Sequence, residues 1–263
     1  PPAFDRQGIT LDDLIDFTPA LRSQALELID NFTIGPLYTP PSPWIEAGNQ
    51  GTLTLPSTWG AGNWNTGAFD PETGMYFAVS YTKADNLGIA PTSSESATMT
   101  HSLSREAPGV PNIQGIPLLK PPYGRVTALD MNTGELAWTV ANGDGPRDHP
   151  LLKDLDLPPL GIPNRPAPLV TKSLLFVGEG SDAVVGTVPG AGGAYDGPDT
   201  GFDESWRWGT LFRAFDKSSG NTVFEIDLSA GTTGAPMTYM HEGKQYIVVA
   251  VSSQATEPEW VAL

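Results

Sequence analysis

The spacing of apolar positions changes near residue 50. Before it, Leu21, Ala25, Leu28, Ile29 and Phe32 recur at helical spacing after Thr18-Pro19. Thr as N-cap and Pro at the first helical position open a helix, and Gly35-Pro36 is its expected stop. Upstream, Thr10 followed by Leu11-Asp12-Asp13 combines a cap with acids in the first turn, which predicts a short helical turn. Pro40-Pro41-Ser42-Pro43 reads as an extended connector. Residues 1–50 are expected as a helical, Pro-rich lead-in.

From Gly51 onward the apolar residues come in short runs between turns, the pattern of β-strands. Three turns read D-x-x-[T/S]-G: Asp70 to Gly74, Asp130 to Gly134 and Asp216 to Gly220. Asp caps such a turn by accepting backbone N–H groups ahead of it, and Gly supplies the positive φ that closes it. The second and third copies are flanked by matching runs. Arg125 to Asp130 resembles Leu211 to Asp216, and Glu135 to Val140 resembles Asn221 to Ile226. Trp138 and Phe224 give each outgoing strand a large side chain to pack between sheets.

Further runs complete the units. Trp64 to Phe69 and Met75 to Ser80 precede the first matched hairpin; Pro168 to Val170 and Leu174 to Gly178 precede the second. Gly234 to Tyr239, Tyr246 to Val251 and Trp260 to Leu263 begin a third unit. Four strands per unit, repeated, describe an all-β fold of antiparallel β-propeller blades. The expectation over 51–263 is two full blades and the start of a third. The interruptions Thr82–Gly124 and Glu179–Gly209, rich in Gly, Pro and Ser, are expected as loops on one face.

Composition agrees. With 29 Gly and 26 Pro in 263 residues, a helical bundle is disfavoured, while 7 Trp, 7 Tyr and 10 Phe suffice for a core. A net charge of −16 repels phosphate backbones, so nucleic acid is not an expected partner. The absence of Cys excludes disulfides, thiolate metal sites and a Cys nucleophile. No apolar run is long enough to span a membrane. Pro1-Pro2-Ala3-Phe4-Asp5 carries neither an initiator Met nor a signal peptide, and is expected to lie inside a longer reading frame or to follow processing.

Several longer strings carry a family resemblance: Lys120-Pro121-Pro122-Tyr123-Gly124-Arg125, Asn142 to Pro150, Leu169 to Lys172 with Leu175 to Gly180, and Ala230 to Tyr239 with Gly243 to Tyr246. Together they resemble the C-terminal part of the quinoprotein dehydrogenases, nearest to the membrane-type glucose dehydrogenases. The resemblance implies an eight-bladed propeller holding pyrroloquinoline quinone (PQQ) on its axis with a divalent ion, usually Ca²⁺. It implies oxidation of an alcohol or aldose, electrons passed to a quinone or cytochrome acceptor, and a periplasmic location. Gly62-Asn63-Trp64 matches the family segment in which Asn and Trp contact the quinone, so Asn63 and Trp64 are the cofactor-binding candidates. An amide can donate to a carbonyl oxygen, and an indole offers a donor and a flat wall.

Elsewhere the chain departs from the family. Ser252-Ser253-Gln254-Ala255 stands where a Gly-Gly-His-Gly-like segment is common, and Gly209 aligns with an acidic position of some members, which leaves sugar and alcohol both open. The family's Asp base and most of its metal ligands belong to an N-terminal part, so the resemblance assigns no catalytic residue and no metal ligand here. His149, in Arg147-Asp148-His149-Pro150, is expected to lock a loop, with Arg147 and Asp148 satisfying backbone groups. Asp203-Glu204 and Glu257/Glu259 read as solvated loop charges. The alternative to a dehydrogenase is a non-catalytic propeller that binds protein partners. Because two or three blades cannot close a ring, an N-terminal propeller segment is an expected partner, needed for a closed and competent protein.

Overall fold

The computed structural model describes residues 2–181 and 208–263. The lead-in contains one 3-10 turn, Leu11–Asp13, and helix α1 (Pro19–Ile29). Asp13 Oδ2 accepts from the Thr10 backbone N–H at 2.8 Å, and Thr18 Oγ1 accepts from Leu21 N at 3.2 Å. The helix stops at Ile29, short of the expected Gly35-Pro36. The Phe32 N–H closes a turn on Ile29 O, after which Thr33 bridges to Thr52 and Gly8 to Pro36. Tertiary pairing therefore ends the helix before the glycine does.

Strands β1 (Ser42–Pro43) and β2 (Thr52–Thr54) follow. The first blade is β3 (Gly67–Asp70), β4 (Met75–Tyr81), β9 (Gly124–Asp130) and β10 (Glu135–Ala141), paired in that order and antiparallel throughout. Between β4 and β9 lie β5 (Asp85–Pro91), β6 (His101–Leu103), β7 (Asn112–Ile113) and β8 (Ile116–Pro117). This stretch was expected as loop. Instead β5 pairs antiparallel with β2 and β6 and parallel with β1, and β7 pairs with β8. β6, β7 and β8 are only two or three residues long and too short to carry a period, and side chains such as Asn86, which donates to Gln50 O and Pro108 O at 2.8 Å, hold the stretch.

The second blade is β11 (Leu169–Val170), β12 (Leu174–Gly178), β13 (Leu211–Asp216) and β14 (Thr222–Asp227). The third sheet is β15 (Met237–His241), β16 (Lys244–Val251) and β17 (Glu259–Ala262). Blade-like antiparallel sheets in sequence order are the propeller arrangement expected from the repeated hairpins. The interruption 179–209 falls largely outside the described residues, as does Asp203-Glu204.

All three D-x-x-[T/S]-G segments close hairpins in the same way. Asp70, Asp130 and Asp216 each accept backbone N–H groups through Oδ1, from Glu72 at 3.1 Å, Asn132 at 2.8 Å and Ser218 at 2.9 Å. The N–H of Gly74, Gly134 and Gly220 returns to the carbonyl of the same Asp. Their φ values of 73°, 77° and 74° are the left-handed conformation that glycine adopts without a Cβ penalty.

Cores form between sheets. Phe77, Val79, Val126 and Ala128 of the first blade pack with Leu175, Val177 and Phe215 of the second. Phe212, Leu228 and Ala230 then pack with Ile247, Val249 and Val251. Each large buried apolar side chain contributes about 1.5–3 kcal/mol, so these layers fix blade against blade. Trp138 lies between sheets as expected, 5.8 Å from Phe77, with Nε1 donating to Lys217 O at 2.9 Å. Phe224 does not: it is exposed. The lead-in has its own core, where Ile9, Leu14, Ile15, Leu21, Ala25 and Ile29 meet the 113–123 segment, Leu152 and Leu160.

Candidate functional site

Because each blade runs in sequence order, turns after first and third strands share one face. Connections after second and fourth strands share the other. Gly60–Thr66, which leads into β3, lies on that second face. β3 and β11, the first strands of adjacent blades, touch each other, which marks the edge on which the blades converge.

Asn63 caps the 3-10 turn Trp64–Thr66. Its Oδ1 accepts from Trp64 N at 2.8 Å, and its backbone N–H donates to Thr66 Oγ1 at 3.0 Å. The buried Thr66 hydroxyl donates in turn to Asn63 O at 2.8 Å, so one side chain closes the turn on both sides. Gly62 lies against Val79 O of β4, and Tyr81 N donates to Ala61 O at 2.9 Å, seating the turn on the first blade. Asn63 Nδ2 has no protein partner among the described residues, and the Trp64 side chain is 90% exposed. A free amide donor next to an uncovered indole suits a flat ligand with carbonyl oxygens.

Arg165, in the connection before β11, reaches the same segment. Its Nη1 donates to Trp59 O at 3.2 Å, and its guanidinium lies 5.2 Å from the Tyr81 ring centroid. Burial raises the Tyr81 phenol above its ordinary value, partly offset by the Arg165 charge. Below this, Arg125 Nη2 lies 3.5 Å from Asp5 Oδ1 with both side chains buried, and Arg125 also donates to Thr82 Oγ1 and to Pro122 O.

A cleft of about 340 Å³ opens between the 144–162 connection and the second blade, lined by Asp144, Ile162, Glu179, Trp208, Thr210 and Asp227 among others. Glu179 is buried; its Oε1 meets Arg213 Nη1 at 2.7 Å and its Oε2 accepts from Leu211 N at 3.2 Å. Burial pushes its carboxyl above the usual value despite the Arg213 charge. A side chain at Gly209 would collide with Glu179 Oε2. Glu179, just after β12, thus fills the space that a side chain at 209 would take. Nothing in the spacing of Glu179 from β13 signals this.

His149 is buried and held, with Nε2 bonded to Gln114 O at 3.0 Å and Nδ1 accepting from Leu151 N at 3.1 Å. The ring itself locks the loop. Arg147 was expected to satisfy backbone groups and instead pairs with Asp144 at 2.7 Å, the nearest acid one turn away. Gln254 lies in an exposed bend, and Glu259 accepts from Ser229 Oγ. Among the described residues no three His, Asp or Glu side chains converge on a metal position.

The family described as "PQQ: Glucose/ethanol/alcohol dehydrogenase, beta-propeller domain" matches residues 1–194 and 206–247. This chain belongs to the PQQ quinoprotein dehydrogenase family. Relatives within it include a quinate/shikimate dehydrogenase (quinone) of Acinetobacter baylyi, 26% identical over 85% of this chain and 26% of the relative. The glycerol dehydrogenase large subunit of Gluconobacter thailandicus is 26% identical over 81% of this chain and 28% of its own length. The quinoprotein glucose dehydrogenase of Escherichia coli is 25% identical over 84% and 26% respectively. The chain spans about a quarter of the length of these relatives. PQQ is the cofactor of the family, and Ca²⁺ and a periplasmic location are typical of it.

Proposed function

We propose that this chain is the C-terminal, quinone-facing part of a PQQ-dependent dehydrogenase that oxidises a sugar or alcohol and passes electrons to a quinone or cytochrome. The observation that carries this reading is the pairing of a free Asn63 amide with the uncovered Trp64 indole on the turn before β3. When bound, PQQ would supply the two-electron acceptor chemistry for oxidation of the substrate. Asn63 Nδ2 donates to a quinone oxygen, where negative charge gathers in the transition state. Trp64 would offer its exposed indole face to the ring. Thr66 holds both residues in place from beneath. The relatives named for quinate, glycerol and glucose favour a polyhydroxylated substrate. An N-terminal propeller segment supplies the base and the Ca²⁺ ligands, and the assembled enzyme works in the periplasm.

The test is Asn63→Ala in the full-length protein, with PQQ retention after gel filtration and dye-linked turnover measured together. Losing one donor to a developing oxyanion lowers turnover by about 10²–10³-fold. Unchanged turnover with PQQ fully retained would remove Asn63 from the site.

A further inference from the structure

Arg165, like Arg6 and Arg22, is held by a backbone carbonyl and not by a carboxylate among the described residues, and it alone of the three reaches the segment before Asn63. The protein carries 30 acidic side chains against 14 basic ones, yet among the described residues no carboxylate lies within ion-pair distance of Arg165. The half-buried guanidinium is nevertheless fixed. Tyr81 lies against one face, Trp59 O holds Nη1, and the backbone at 165 is pinned by Asn164 Oδ1 at 2.8 Å. Trp59 is four residues before Asn63, and Tyr81 is bonded to Ala61 between them.

With Nη1 engaged, the Nε–Nη2 edge has no protein partner among the described residues. Two parallel N–H groups on that edge match the two oxygens of a carboxylate, a geometry that a lysine cannot reproduce. Side-chain entropy has already been lost to the Tyr81 and Trp59 contacts, so little further ordering opposes ligand capture. The surrounding net negative charge makes a fixed, unpaired arginine selective for an anion that also fits the site.

We infer that Arg165 is a carboxylate-binding subsite next to Asn63 and Trp64, gripping a carboxylate of the ligand held on this face. The inference rests on the proposed function for the position of that ligand. The carboxylate belongs either to PQQ, which carries three, or to an acid-bearing polyol substrate.

Dissociation constants measured by calorimetry on the full-length protein separate these sources. The probes are PQQ on the cofactor-free protein, and quinate and uncharged glucose each with and without added PQQ, for wild type, Arg165→Gln and Arg165→Lys. A tenfold or greater weakening of PQQ by Arg165→Gln, with a smaller loss for Arg165→Lys, assigns the cofactor's carboxylate. The same weakening of quinate, with glucose and PQQ unchanged, assigns the substrate's. If Arg165→Gln does not fold, Arg165→Lys decides between them by the same comparison. Unchanged binding of PQQ and quinate, equal losses for quinate and glucose, or no binding of PQQ or quinate by wild type would overturn the inference. A wild-type protein that binds quinate and not PQQ would instead overturn the proposed function, and the quinate arm would still decide Arg165.

Discussion

Lys217 and Asp70 are 147 residues apart and form a buried ion pair, Nζ to Oδ2 at 2.5 Å. Asp70 closes the first hairpin turn of one blade, and Lys217 lies in the third-to-fourth strand turn of the next. The side chain that shapes a local turn therefore also ties two blades together. Trp138, whose indole donates to Lys217 O, fixes the same turn from above.

Lys217→Met is expected to destabilise the fold by about 3–5 kcal/mol, because it leaves a buried carboxylate without its cation. The Lys217 hydrogen bond, helped by the Thr73 hydroxyl, holds the Asp70 carboxyl below its ordinary 3.8. Its contribution is present above 3.8 and lost as pH falls through the lowered value. Urea unfolding from pH 3 to pH 7 should show a shallower acid limb in Lys217→Met than in wild type.

Arg213→Met should show the opposite pH trend. Glu179 already has a raised carboxyl through burial, so its ionisation opposes folding as pH rises above its ordinary 4.5. Removing Arg213 raises it further and widens that window. The loss is expected to be about 3–5 kcal/mol at pH 7.5 and smaller at pH 5, read by urea midpoints.

Two glycines with the same backbone conformation should respond differently to alanine. Gly243 has φ +78° and open space around its Cβ position, so Gly243→Ala costs only the left-handed penalty, about 1–2 kcal/mol. Gly220 has φ +74°, and a Cβ there lies 2.7 Å from Trp138 Cε3. Overpacking against that ring adds about 1–3 kcal/mol. Equal midpoints for Gly220→Ala and Gly243→Ala would show that the Trp138 contact carries no stability.

Thr66 positions Asn63 from within the turn. Thr66→Val removes both hydroxyl bonds to the Asn63 backbone, each worth about 1 kcal/mol. PQQ retention in the full-length protein should fall several-fold, and Thr66→Ser, which keeps the hydroxyl, should restore it. Equal retention in the valine and serine variants would show that the turn holds Asn63 without them.

Local chemistry determined much of what could be read from the sequence. Asp and Gly at fixed offsets specify the Asp70, Asp130 and Asp216 turns because the hydrogen bonds and the positive φ are satisfied within five residues. Thr18-Pro19 opens α1 for the same reason. Two-residue strands such as β7 and β8 carry no periodic signal, and the end of α1 depended on pairing with Thr52 and Gly8, far along the chain. Asn63 and Trp64 could be picked out as a string, yet the free Nδ2 and the exposed indole follow from how Thr66 and β4 seat the turn. Glu179 beside Gly209, Arg165 over Tyr81 and Lys217 on Asp70 join residues 30 to 147 positions apart. Strand pairing within the second blade brings Glu179 beside Gly209, and packing between blades brings the other two pairs together, because charge and contact act through space while sequence pattern records neighbours along the chain.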